Sequence, residues 1–160
     1  MAIASEICNS FKEELLQGGH NFNASGSTPA GNTIMCALYS SNSASLGKST
    51  TVWAAASDPS ATPTSTYEVS TDSTGYSSGG NTLTNIDVAL DSDTAVCDFS
   101  NSSWTSDSFT ANGCLIFNDS ASGDPACCTI AFGGDKTVTS GTFTIEFPAA
   151  GASTAIIQLV

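Results

Sequence analysis

No arginine occurs in this chain, and lysine occurs only three times, at Lys12, Lys48 and Lys136. Against them stand fifteen carboxylates, for a formal charge of −12. A nucleic-acid surface neutralises phosphates with Lys and Arg, and anionic membranes recruit basic patches, so neither partner is expected. Long apolar runs are lacking too: nothing approaches the ~18 residues of a membrane helix. The opening stretch MAIASEICNSFKEELL has no basic start and is interrupted by glutamates, so it does not read as a signal peptide. The expectation is a chain folded in a cytosol, with reduced thiols.

Histidine occurs once, as His20. A general base needs a nucleophile and an orienting acid, and serines are too common here to single one out. The residue therefore reads as a loop histidine at the surface or in a cap. The six cysteines (Cys8, Cys36, Cys97, Cys114, Cys127, Cys128) never stand at the two-to-four-residue spacing of zinc chelates. A catalytic thiol wants electropositive surroundings that three lysines hardly supply. A disulfide between adjacent Cys127 and Cys128 would strain the peptide between them. Free cysteine behaves as a small apolar residue, so these read as packing thiols on β-strands. No metal, cofactor or catalytic residue is assigned.

Three weaker motifs have bland readings as well. Gly47-Lys48-Ser49 matches the second half of a phosphate loop, but the required first glycine is Asn42 and no good helix follows. It reads as a polar loop. Asp87, Asp91, Asp93 and Asp98 cluster without EF-hand spacing and read as an acidic loop facing water. Trp53 and Trp104 could stack on sugars, but core or interface anchoring is the commoner role.

One domain is expected at 160 residues. Cys8, Phe11 and Leu15 share a helical face in SEICNSFKEELLQGG. Ser10 with Glu13 fits a capping box, Ser5 offers an earlier cap, and Gly18-Gly19 a left-handed stop. HNFNASGSTPAGN is loop chemistry. TIMCALYS, apolar on both faces, predicts a central strand, and TTVWAAASDPSATPTST a long irregular loop. TYEVS reads as a short strand. In TLTNIDVAL the set Thr84, Ile86, Val88, Leu90 is predicted to face the core. DSD turns into TAVCDFS; FTANGCLIFN, ACCTIAFGG, TVTSGTFTIEFPAA and TAIIQLV follow as strands. Phe143, Ile145 and Phe147 alternate with Thr142, Thr144 and Glu146. The fold predicted is mainly β: an antiparallel β-sandwich or jelly-roll-like domain with one short N-terminal helix. Residues 1–30 form the helix and arm, and 31–160 the sandwich.

The stretches SFKEELLQGGHNF, ALYSSNSASLG, YEVSTDSTGYSSGGNTLTN, FTANGCLIFND and IAFGGDKTVTSGTFTIEFPAA run in order through most of the chain. Through them it resembles a family of small virion structural proteins of tailed bacteriophages, cyanophage-like ones included. The resemblance implies a capsid decoration (cement) protein that binds the outer face of the major capsid shell and stabilises it. The alternatives are a tail, baseplate or fibre-associated protein, or a glycan-binding β-sandwich module. It implies a homo-oligomer, with a trimer as one form, located in the virion after assembly in the bacterial cytoplasm. The N-terminal helix and the loop after it are the expected reach towards a neighbour.

Overall fold

The computed structural model describes residues 3–40, 46–53, 67–71 and 75–160, with the side chains of Asp87 and Ser106 left out. The irregular loop expected from TTVWAAASDPSATPTST falls largely outside these residues. A two-residue strand, β1 (Glu6–Ile7), leads into α1 (Asn9–Leu16). Cys8 is the N-cap and makes no side-chain cap bond, so the expected capping box is not formed. Ser10 lies inside the helix. Ser5 is no cap either: its hydroxyl accepts the Ala131 N–H at 3.0 Å, a contact with the sheet. The C-terminal stop is as predicted. Gly18 takes φ +77°, and the Gly18 and Gly19 N–H groups donate to the carbonyls of Leu15 and Glu14. Those two bonds satisfy carbonyls left free by the helix end and make a Schellman turn.

Two antiparallel sheets pack over one core. The larger has the order β1-β7-β6-β2-β3, and the smaller β4-β5-β8. β2 (Ile34–Tyr39) lies between β6 and β3 (Asn81–Leu83) and is buried along nearly all its length, as its two apolar faces predict. β5 (Thr94–Phe99) is flanked by β4 (Asn85–Asp91) and β8 (Ile157–Leu159). The long hairpin of β6 (Ser102–Asn118) and β7 (Ala126–Ile145) is the frame of the larger sheet. The predicted strands ACCTIAFGG and TVTSGTFTIEF are thus one strand. The glycines and aspartate where they join form a bulge. Ala131 faces Gly113 and Lys136 faces Ala111, so residues 132–135 are extruded. Gly133 and Gly134 carry the positive φ values this needs, and Asn112 Nδ2 ties Asp135 Oδ1 at 2.7 Å. A bulge of this kind bends and twists a long strand.

Two further expectations change. Among the described residues TYEVS makes only an isolated bridge, Glu68 to Tyr39, continuing the β2 edge beyond β3. TLTNIDVAL is split between β3 and β4, which belong to different sheets. Its supposed core set is at the surface instead: Ile86 is 40 %, Val88 47 % and Leu90 72 % exposed, while Leu83 is buried. The register shift between Ile86 and Ala89 breaks the two-residue period that the prediction assumed. The alternation of Phe143, Ile145 and Phe147 holds, each more buried than Thr142, Thr144 and Glu146.

The core draws on both sheets and on the N-terminal segment. Ile3, Cys8, Phe11 and Phe22 belong to it together with Phe99, Leu115, Phe117 and Ile157. One aromatic file runs Phe11, Phe22, Phe99, Phe147, with ring centroids 5.8, 6.3 and 5.8 Å apart. A second file joins Tyr76, Phe109, Phe143 and Phe132 at 6.1, 5.2 and 6.0 Å. Tilted and edge-on pairs at these spacings add to the burial of the rings themselves.

Candidate interaction surface

All six thiols are free and buried, in line with the packing role expected of them. Burial lifts the Cys8 and Cys97 thiols to about 12, reinforced by nearby Glu14 and Glu6 for Cys8 and by Asp98 for Cys97. Cys127 and Cys128 are pushed well up by the same desolvation. His20, by contrast, is not a surface residue. Its ring is buried between Phe11 and Phe22. Nε2 is 2.9 Å from Glu14 Oε2. Nδ1 is 3.1 Å from Asn118 Nδ2 and 3.8 Å from Cys127 Sγ. The amide can only donate, so Nδ1 accepts and the proton sits on Nε2, aimed at Glu14. A thiol, an imidazole and a carboxylate in file resemble a nucleophile with its base and acid. Here the thiol has no exposure and is protonated, and the file fastens helix, loop and hairpin end together. Asn118 completes the fastening, donating also to Gly19 O and Asn32 Oδ1.

A second buried network escaped the sequence reading. Glu68 Oε1 accepts from the Gly79 N–H at 2.6 Å and from Tyr76 Oη at 2.8 Å; Ser78 Oγ lies 3.3 Å from Oε2. Tyr76 Oη in turn accepts the buried Leu38 N–H at 2.9 Å. The hydroxyl thus satisfies a β2 amide where no strand does. Desolvation raises the Glu68 carboxyl above its usual range, against the lowering effect of those donors.

The weaker motifs dissolve into local structure. Gly47 N donates to Thr50 Oγ1 and Lys48 N to Glu6 Oε2, so the amides that a phosphate would need are occupied, one by a carboxylate. Asp91 and Asp93 are exposed at the β4–β5 turn, as expected of them, but Asp98 is not. Asp98 is buried with Oδ1 on the Phe99 N–H, and desolvation raises its carboxyl. Asp91 Oδ2 accepts the Ala152 N–H, tying the β4–β5 hairpin to the loop before β8. Trp104 is buried against Phe143, and Trp53 lies flat on Phe117 at 5.0 Å.

Among the described residues two apolar hollows face outward. A hollow of about 510 Å³ on β7 is lined by Phe132, Phe143, Phe147 and Pro148, with Lys136 and Glu146 among its polar lining residues. A groove of about 550 Å³ runs between α1 and β8, floored by Ile7, Phe11, Leu15 and Ile157. Leu16 and Leu159 stand on its walls, 92 % and 55 % exposed. A cross-strand row, Leu90–Ala95–Leu159, carries the apolar surface on across the small sheet. Soluble monomers rarely leave such contiguous patches uncovered. Comparison with protein-family models, curated proteins and solved structures finds no match to this chain.

Proposed function

We propose that this chain is a bacteriophage virion structural protein, with capsid decoration as its role: it binds the outer face of the major capsid shell as a homo-oligomer and stabilises it. The observation that carries the reading is a division of labour among the described residues. Thiols, imidazole and the Glu68 carboxyl are spent on internal packing and fastening, while leucines on the first helix and last strand are left for a partner. That is the pattern of a protein that holds rather than turns over, and the ordered run of phage-like stretches supplies the kind of assembly. The strongly acidic charge also keeps the chain off packaged nucleic acid. A tail, baseplate or fibre-associated role uses the same surfaces and is the second reading. A glycan-binding role is less well supported, since both tryptophans are engaged with phenylalanines.

Quantitative mass spectrometry of purified virions decides between these. About one copy per major capsid subunit is the expected result. A few copies to a few dozen per particle would move the protein to the tail, and its absence from particles would end the virion reading.

A further inference from the structure

We infer that the groove between α1 and β8 receives an extended, strand-like segment of another polypeptide, with alternate apolar side chains and Lys or Arg at its flanks. Three observations converge on that occupant. First, the groove is bordered by a strand edge. Among the described residues β8 is the outermost strand of the small sheet and pairs only with β5. The opposite edge strand, β4, is defended by a register shift and by aspartates, which are standard means of blocking further pairing. β8 reads Ile-Gln-Leu and carries neither device, its three-residue length alone limiting how many bonds an added strand could make there. An added strand would take its main-chain hydrogen bonds there.

Second, the side chains beside that edge match a strand's two-residue period. Ile157 and Leu159 stand two residues apart on one face of β8, with Leu15 and Leu16 across the groove. An entering strand would lay every second side chain between them. Third, charge selects among partners. The chain carries −12 as a whole, while Lys12 is the charged residue among those lining the groove. A second copy of this chain would bring another −12 to the contact. A cationic flank removes that repulsion and adds steering. The inference concerns the partner's chemistry and does not depend on where in a particle the partner sits.

The test uses the full chain and a fluorescein-labelled ten-residue peptide of alternating Ile and Thr flanked by lysines, followed by anisotropy at low salt. Binding is expected, at least tenfold tighter than for the same peptide flanked by glutamates. N-methylation of alternate peptide amides should abolish it, because a strand edge needs them. Leu159→Asp and Leu16→Asp should each weaken binding at least tenfold. Leu16 is almost wholly exposed, so that variant keeps its fold and its melting temperature serves as the control. No binding to the native chain, or equal binding by both variants, would overturn the proposal. So would equilibrium sedimentation showing a native oligomer that Leu159→Asp dissolves, which would give the groove to a second copy. Virion copy number stays a separate question under every outcome.

Discussion

At the scale of single residues, Glu68 shows how a buried carboxyl leaves a mark on stability. Its folded pKa lies above the ordinary 4.5. Between that value and its folded pKa, the folded state holds a proton that the unfolded state has released. Stability therefore falls as pH rises through this window and levels off above it. Asp98 and Asp124 are raised as well and act with the same sign. Glu68→Gln keeps an acceptor for Gly79 and Tyr76 while removing the titration. Urea unfolding between pH 4.5 and 7.5 should show a shallower fall with pH in this variant. Glu68→Ala should instead cost about 1–3 kcal/mol at every pH, because the Gly79 amide and Tyr76 hydroxyl lose their acceptor.

At the scale of elements, the N-terminal segment is the informative case. Its helix, its apolar face and its glycine stop were all legible, because 3.6-residue spacing and left-handed glycine are local signals. Where the face docks was not. Phe11 is wholly buried among core rings, and β1 pairs with β7 at Thr129 and Cys128. Removing residues 1–19 should therefore abolish cooperative thermal unfolding, read by near-ultraviolet circular dichroism. A truncated chain that still melts cooperatively would make the segment a separable arm. The same contrast governs β4. Its β character was readable, but Ile86, Val88, Ala89 and Leu90 are all exposed around a register shift that nothing in the local pattern marks. His20 followed the same course: Gly18-Gly19 announced the helix end, but its burial depends on Asn118 and Cys127, about a hundred residues away. The thiols were read correctly because a packing role follows from residue type alone.

At the scale of the whole molecule, charge is the dominant fact. Among the described residues the one close contact of a carboxylate with a basic side chain is the Glu14–His20 hydrogen bond, and no lysine lies within pairing distance of a carboxylate. The excess carboxylates therefore repel one another with little compensation, and salt screens that repulsion. Raising sodium chloride from 10 to 300 mM should raise the melting temperature. A gain of about 1 kcal/mol in a domain of this size corresponds to roughly 2–4 °C. A flat or falling response would mean that the fold leans on favourable surface pairs after all.

The groove has one further property, which concerns time rather than shape. Its two walls are α1 and β8, so the finished groove exists only where segments far apart in the chain have come together. Synthesis delivers α1 early and β8 late. A stalled, clipped or half-folded chain cannot display the finished cleft, however soundly its middle has formed. A partner of the kind proposed for the groove would therefore bind only copies whose two distant segments have met.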